Sequence, residues 1–433
     1  MSVIKVNTTK TVGKIKPMHA GGQPPLGGAG YNNYFHYLTE AGIPYSRLHD
    51  VGGAFGSNRF VDIPNIFRNF DADENDPTSY DFAFTDFLIK SLVDAGVEPY
   101  FRLGITIENQ AFIRTYYTDP PKDYDKWARI CEHVIAHYTE GWADGFYYNI
   151  TYWEIWNEPD NLEFNGRPSQ MWSGTPDDYY RLYDVAAKHL KARFPNIKIG
   201  GYASSGFYAL TSQNPSPRDV KIHKYLVDFF IGFLEYLRAH NTPLDFFSWH
   251  SYTGTKNTLV WERFVSEKLR EYGFENAENH LNEWDPYCNE FGTGHHSAEV
   301  AAMMLGMQDR TPSVLCIYDM RTNNAPYCPL FNPLTHEPMH AYYSLVAFNH
   351  LYKLENQVEL TLDTEDMYAV AASDGKYHAL MISNLTGKAQ PLILEGVDLT
   401  HAHISVIDDR HLLSWAPNAD NIANNTVMLI EWH

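Results

Sequence analysis

The stretch "TYWEIWNEPD" (151–160) joins an apolar run of strand-forming residues to a polar corner. Aromatic and β-branched side chains lead up to Asn157 and Glu158, and Pro159 follows them directly. Proline cannot donate to a strand ladder, so the strand is predicted to end at this corner. A rigid corner that presents an amide and a carboxylate beside a buried strand is typical of a functional position.

Similar strand-like runs alternate with helical patterns along most of the chain. Eight candidate strands lie at 14–19, 43–49, 97–104, 150–157, 196–201, 244–250, 278–284 and 313–320. Helical periodicity is found between them, at 31–42, 81–97, 123–141 and 176–195. This α/β alternation over roughly 330 residues predicts a (β/α)8 TIM barrel. A doubly wound sheet is disfavoured, because "GGQPPLGG" lacks the G-x-G-x-x-G spacing of a phosphate-binding turn.

The last part of the chain has a different pattern, with short strands separated by turn residues. It predicts a small accessory β-sandwich at 351–433, after the (β/α)8 barrel at 14–350. Residues 1–13 alternate in polarity and are expected to add a strand to the sandwich.

Composition excludes several classes of partner. The 433-residue chain has 53 acidic and 33 basic residues and a formal charge of −20, which disfavours nucleic acid. The four cysteines form no C-x-x-C pair. The N-terminus lacks the apolar core of a signal peptide, and no run is long enough to span a membrane. The expectation is a cytoplasmic protein, or a secreted or periplasmic one if a signal peptide has been removed.

Two glutamates are predicted to meet at one end of the barrel. TIM barrels carry their chemistry at the carboxyl ends of the strands. Glu158 directly follows the fourth candidate strand, and Glu283 lies at the end of the seventh. Two carboxyl groups facing each other across an aromatic-lined pocket are the arrangement that cleaves glycosidic bonds. One group must keep a proton for the leaving oxygen, and the other must be ionised to attack the anomeric carbon.

Further strand-end side chains are candidates for binding the substrate. Asn157 is placed to hydrogen-bond a sugar hydroxyl, and Arg47 to hold Glu283 ionised. The other candidates are His49, His250, Tyr252, Trp284, Tyr287 and Tyr318. His295 and His296 are adjacent and have no carboxylate at ligand spacing, so no metal is predicted, and no cofactor either.

Several motifs resemble one known family of enzymes. "WEIWNEPD" is similar to the acid/base signature of clan A glycoside hydrolases. "YSRLHD" (45–50), "PPKDYDKW" (120–127), "YYRLYDVAAKHLK" (179–191) and "DFFSWHSYTG" (245–254) resemble glycoside hydrolase family 39, which contains β-xylosidases. The resemblance covers most of 43–285. It implies that Glu158 is the acid/base and Glu283 the nucleophile, with net retention and carboxyl groups ~5–5.5 Å apart. Xylosidases of the family are often oligomeric, so a homo-oligomer is left open.

Departures from the family pattern concern the residues expected to face the sugar. Arg102 replaces a glutamate of the third-strand motif, and Tyr318 stands where the family usually has a tryptophan. On the sixth strand, Trp249 stands before His250 where the family has an arginine before the histidine. The segment 51–77 is longer than a minimal xylosidase needs. Arg102 is therefore included among the candidate substrate-binding residues.

The resulting functional hypothesis is an exo-acting retaining hydrolase. It would remove terminal pentosides, β-D-xylosides or α-L-arabinofuranosides, from plant-derived oligosaccharides. One alternative is a glycosidase of the same mechanism that releases a disaccharide or another sugar from decorated side chains. A non-catalytic carbohydrate-binding barrel and a redox enzyme on a barrel are the alternatives from other classes.

Overall fold

A computed structural model describes residues 2–27, 32–49, 51, 61–106, 118–161, 171–286, 290–322 and 327–433. Its first strands are β1 (Ser2–Lys14), β2 (Ala20–Gly22), β3 (Leu26–Gly27), β4 (Asn32–Asn33), β5 (Tyr45–Leu48), β6 (Glu98–Leu103), β7 (Tyr152–Ile155), β8 (Lys198–Ser204), β9 (Phe246–Ser251), β10 (Glu278–Trp284) and β11 (Pro312–Tyr318). The later strands are β12 (Asn356–Leu362), β13 (Met367–Ser373), β14 (His378–Asn384), β15 (Gln390–Glu395), β16 (His403–Asp408), β17 (His411–Trp415), β18 (Asn421–Ile422) and β19 (Thr426–Trp432). The helices are α1 (His36–Glu40), α2 (Ile63–Ile66), α3 (Ala83–Asp94), α4 (Tyr124–Thr139), α5 (Pro176–Arg193), α6 (Pro217–His240), α7 (Thr255–Glu271), α8 (Gly294–Gln308) and α9 (His340–Lys353).

Eight parallel strands close into a barrel in the order β2, β5, β6, β7, β8, β9, β10 and β11. The barrel closes where Cys316 of β11 pairs with Ala20 of β2. Tyr100, Tyr152 and Phe246 fill part of its interior as a separate buried cluster. The predicted TIM barrel is confirmed, and the doubly wound alternative is excluded because that sheet would be open.

The first barrel strand lies later in the chain than predicted. The sequence pattern favoured 14–19, but the strand is Ala20–Gly22, and Lys14 belongs to β1. Pro17 interrupts the predicted run, because it has no N–H for a parallel ladder. The observed strand is too short and too rich in glycine to show a β pattern. The other seven barrel strands overlap the predicted ones, although β8 extends to Ser204.

The C-terminal strands form one curled sheet of nine strands together with β1. β1 pairs antiparallel with β12 and parallel with β15, so the beginning of the chain lies inside this sheet. Both faces of β14 are buried. In β14, Ala379 and Met381 belong to the main core, whereas Leu380 and Ile382 belong to a second core on the other face. The division of the chain at residues 14 and 351 stays a prediction.

Helix α8 packs the sheet against the barrel. Its side chains are buried on nearly all sides, as expected for a helix between two layers. The Ser383 hydroxyl of β14 donates to the carbonyl of Ala298 at 2.7 Å. No helix in the described ranges combines the length and apolar character needed to cross a lipid bilayer.

Candidate active site

Arg47 is the centre of a buried hydrogen-bond network at the carboxyl ends of the strands. Its side chain is fully buried on β5. Nε donates to Glu154 at 2.8 Å, Nη1 to Glu283 at 3.0 Å, and Nη2 to Asn157 at 2.5 Å. The planar guanidinium therefore fixes three side chains from two other strands at once.

Glu154 is a member of this network that the sequence analysis missed. It lies in the middle of β7 and is fully buried. Besides Arg47, Ser248 and Asn282 each donate to Glu154 Oε1 at 2.6 Å. A lone carboxylate within the apolar run "TYWEIW" was the available signal, because an ionised group buried in a strand requires partners.

Glu158 is presented by an unusual backbone corner after β7. Trp156 has φ +73° and Glu158 has φ +45°, both in the left-handed region that side chains of this kind rarely adopt. The corner is held from both sides, since Trp156 N donates to Leu103 O at 2.8 Å and Glu158 N to Ala203 O at 3.1 Å. Such strain persists only where the surroundings over-determine it, and it is common at functional sites.

The two glutamates meet around His250. The Nδ1 atom of His250 lies 2.7 Å from Glu158 Oε1 and 3.6 Å from Glu283 Oε1. One carboxylate oxygen of Glu158 and one of Glu283 lie within 4.8 Å of each other. The Tyr252 hydroxyl donates to Glu283 Oε1 at 2.6 Å, and Asn161 Nδ2 donates to Glu158 Oε2 at 2.8 Å.

Burial makes both carboxyl groups harder to ionise, but their partners differ. Burial raises the pKa of Glu283, and the negative Glu158 raises it too, whereas His250, Arg47 and the Tyr252 hydroxyl act to lower it. Burial also raises the pKa of Glu158, against the Asn161 hydrogen bond and the more distant Arg47. Burial lowers the pKa of His250 to about 4, so the imidazole between them is neutral near pH 7.

Three tyrosines form an aromatic wall next to Glu283. The rings of Tyr252 and Tyr318 have centroids 6.4 Å apart, and Tyr327 lies 5.3 Å from Tyr252 and 5.9 Å from Tyr318. Tyr327, which the sequence analysis did not single out, is 44% exposed. It follows β11 in the sequence, within "NNAPYC", whose residue pattern does not indicate an aromatic wall. Aromatic faces of this kind can stack against a sugar ring.

Three other candidate residues, Arg102, His49 and Trp284, are buried away from solvent. Arg102 Nη2 donates to Asp62 Oδ1 and to the His49 carbonyl, each at 2.6 Å. His49 is 3% exposed, and burial together with Arg102 holds its pKa well below the ordinary value. Trp284 is fully buried in the main core. Tyr287 and residues 52–60 of the long segment lie outside the described residues.

Glu158, His250 and Glu283 also form the one converging group of potential metal ligands in the described ranges. Arg47 and Tyr252 already donate to the two oxygens of Glu283. A cation would have to displace one of these donors and lie beside a guanidinium, which repels it. The geometry therefore suits proton transfer and nucleophilic attack better than metal binding.

Comparison with known proteins assigns the chain to a family. Residues 3–282 match the family model of glycosyl hydrolases family 39, which is more than half of the chain. The chain belongs to this family, as the motifs at the strand ends predicted.

Two curated relatives and one solved structure are similar to this chain. A β-xylosidase of Geobacillus stearothermophilus is 25% identical over 207 residues, which are 46% of this chain and 36% of the relative. A β-xylosidase of Caldicellulosiruptor saccharolyticus is 26% identical over 223 residues, 49% of this chain and 37% of the relative. The chain thus spans little more than a third of these relatives. The structure of a glucosidase from Croceicoccus marinus superposes with a TM-score of 0.77 at 19% identity, covering 100% of this chain and 98% of that one.

Proposed function

We propose that this protein is an exo-acting retaining glycoside hydrolase in which Glu158 is the general acid/base and Glu283 the nucleophile. The observation that carries the proposal is the pair of buried carboxylates with oxygens within 4.8 Å of each other. Retaining enzymes place the two groups about 5–5.5 Å apart, whereas inverting enzymes leave about 6.5–9.5 Å for a water molecule.

The partners of each carboxyl group support this assignment of roles. Glu283 accepts from a cation, Arg47, and from the Tyr252 hydroxyl, and both interactions favour its ionised form. Glu158 has neutral neighbours in Asn161 and His250, so it is the better group to hold a proton. Like charges so close disfavour ionisation of both groups, and one proton is shared unequally between them.

The reaction then takes two displacements. Glu283 attacks the anomeric carbon while Glu158 protonates the glycosidic oxygen, and the C–O bond to the leaving group breaks. The product is a covalent glycosyl ester of Glu283. Glu158, now ionised, takes a proton from water, and the water oxygen displaces Glu283 with overall retention. Asn157, held through its Oδ1 by Arg47, has its amide N–H groups left to donate to a sugar hydroxyl.

Terminal pentosides are the proposed substrates, in the form of β-D-xylosides or α-L-arabinofuranosides. The two sequence relatives named β-xylosidase support this choice. The alternative within the same mechanism is release of a disaccharide or another sugar. Two complete carboxyl groups with their supporting donors count against a non-catalytic binding barrel.

The test compares leaving groups. Initial rates are measured on 4-nitrophenyl β-D-xylopyranoside and α-L-arabinofuranoside and on xylobiose, which has a poor leaving group. Glu283→Gln should abolish turnover of every substrate. Glu158→Gln should lower kcat/KM for xylobiose about 10²–10⁴-fold and much less for glycosylation by the nitrophenyl glycoside, whose leaving group needs no proton.

Glu275→Gln, at an exposed helix-to-strand turn, is the matched control and should change nothing. Proton NMR of the first product formed should show the anomeric configuration of the substrate. An inverted product, or hydrolysis that survives Glu283→Gln, would refute the proposed roles. Turnover of glucosides or disaccharide units in place of pentosides would keep the mechanism and replace the sugar.

A further inference from the structure

A second pocket lies where the end of α9 meets the curled sheet, and it shares no residue with the catalytic network. Its volume is about 440 Å³, within the range of small-molecule sites. Five of the chain's 20 histidines line it together with one lysine. These residues are His350, His378, His401, His403, His433 and Lys353.

The carboxylate in the pocket lining is already engaged. Glu431 Oε1 lies 2.7 Å from His350 Nδ1. Although burial acts to raise it, the hydrogen bond to His350 and the nearby His350 and His403 hold the pKa of Glu431 below its ordinary value. Glu431 therefore stays ionised beside His350. His378 Nδ1 lies 2.8 Å from the Ser373 hydroxyl and His403 Nε2 lies 3.1 Å from the Ser405 hydroxyl, so each of these imidazoles keeps its other ring nitrogen for a ligand.

The elements around the pocket add few opposing charges. Asp374, in the turn before β14, acts electrostatically on His378, and Asp398 interacts with His401 and His433. Lys376, in the same turn as Asp374, donates to the Tyr377 hydroxyl at 2.8 Å. With its histidines protonated, the pocket is a positive region on a chain of formal charge −20.

The arrangement favours an anion over a metal ion. Within the described ranges, the atoms of three potential ligand side chains converge to within 4.8 Å only at Glu158, His250 and Glu283. The pocket histidines are instead distributed around a cavity, which suits a ligand with several acceptor oxygens. Tyr377, 48% exposed, offers an aromatic face beside them, and its ring centroid lies 6.4 Å from that of His433.

We propose that this pocket is a pH-dependent binding site for a small oxyanion, a carboxylate or phosphate carried by a sugar-sized molecule. An imidazole ordinarily gains its proton near pH ~6.5, so the site strengthens as the pH falls through that value. Burial lowers the pKa of His378, so this residue charges at a lower pH than an ordinary histidine. The proposal stands whether or not the protein hydrolyses pentosides.

The experiment is calorimetric titration of the intact chain, freed of metal ions on a chelating resin and kept in buffers without carboxylate or phosphate ions, at about pH 5.5 and about pH 8. The probes are D-glucuronate, inorganic phosphate and uncharged D-xylose. We expect one or both anions to bind at the lower pH and at least about tenfold more weakly at the higher pH. If D-glucuronate binds and phosphate does not, the ligand is a sugar acid. If phosphate binds and D-glucuronate does not, the ligand is phosphorylated. Binding of neither anion, or binding that is independent of pH, would overturn the proposal.

The double variant His378→Gln/His403→Gln should lose this binding and keep the hydrolytic rate, since neither residue touches the catalytic network. His240→Gln, on the exposed end of α6, is the matched control and should bind as the wild type does. Retained anion binding in the double variant would place the site elsewhere. If the double variant fails to fold, proton NMR of the wild type locates the binding site. D-Glucuronate or phosphate should shift the imidazole resonances of the pocket histidines before those of the other histidines.

Discussion

At the scale of single residues, Arg47 shows how the site depends on one side chain. Its three donor atoms reach Glu154 of β7, Asn157 of the corner after β7, and Glu283 of β10. Although burial acts to lower it, the two glutamates raise the pKa of Arg47 above its ordinary value. The cation is therefore permanent and biases Glu283 toward the ionised form. A lysine has no planar fork and would leave at least one acceptor unpaired.

Tyr252→Phe tests how Glu283 is held. The hydroxyl donates to Glu283 Oε1 at 2.6 Å, and its removal disfavours the carboxylate. The pKa of Glu283 should rise, and the acid limb of the kcat/KM profile should move to higher pH. A hydrogen bond to a charged group contributes roughly 1.5–3 kcal/mol, so kcat/KM on the pH-independent plateau should fall about 10–100-fold. Tyr147→Phe, at a residue 81% exposed, should leave the profile unchanged. An unmoved acid limb in Tyr252→Phe would contradict this role.

Asp160 predicts a pH dependence of stability. It is fully buried, and burial raises its pKa from 3.8 to about 7 against hydrogen bonds from Ser204 and Ser205. The folded protein keeps this proton from about pH 4 to about pH 7, where the unfolded chain has lost it. The free energy of unfolding therefore falls as the pH rises through this window.

Asp160→Asn removes this proton uptake while keeping an acceptor oxygen. Its free energy of unfolding relative to the wild type should increase between about pH 4.5 and about pH 7.5, as measured by urea denaturation. Asp420→Asn, an exposed control, corrects for general charge effects. A difference between Asp160→Asn and wild type that stays constant with pH would show that Asp160 ionises normally.

At the scale of elements, the corner after β7 separates what local sequence can predict from what it cannot. Proline after Asn157-Glu158 indicates a strand end, and β7 does end at Ile155. The left-handed conformations of Trp156 and Glu158 have no local signal, because they are imposed by hydrogen bonds to β6 and β8. The direction of the Glu158 side chain is thus set by neighbouring strands.

Helix α5 begins with a capping box that can be tested alone. The Thr175 hydroxyl accepts from the Asp178 backbone N–H, and the Asp178 carboxylate accepts from the Thr175 backbone N–H. Thr175→Ala should lower the free energy of unfolding by about 1 kcal/mol, measured by urea denaturation. Ser212→Ala, on an exposed turn, should cost less than about 0.5 kcal/mol. Equal effects of the two changes would mean that the cap does not stabilise α5.

At the scale of the whole molecule, the beginning of the chain supports its end. β1 lies between β12 and β15, so the curled sheet contains a strand from more than 340 residues earlier. Val6 is 6% exposed in the second core, and Val12 on the same strand is 52% exposed. These two valines give a matched pair for testing how much β1 contributes.

Val6→Ala should lower the free energy of unfolding by about 1.5–3 kcal/mol, because it removes two buried methyl groups and leaves a cavity. Val12→Ala should cost less than about 0.5 kcal/mol. Thermal and urea denaturation of both variants measure the difference. If the two changes cost the same, the sheet does not depend on the packing of β1.

The alternation of strands and helices can be predicted from the sequence, because each barrel strand except the first has its own apolar run and turn residues. The candidate catalytic glutamates are predictable too, since Glu158 comes just after such a strand and Glu283 lies near the end of one, both in family-like motifs. The first barrel strand, Ala20–Gly22, could not be predicted from the sequence. It is a strand because it pairs with β5 and β11, and its residue types alone do not favour one. Glu154, Tyr327 and the histidine pocket depend on contacts between residues far apart in the chain. Local patterns report which face of an element is apolar, and only closure of the barrel and the sheet decides which polar groups meet.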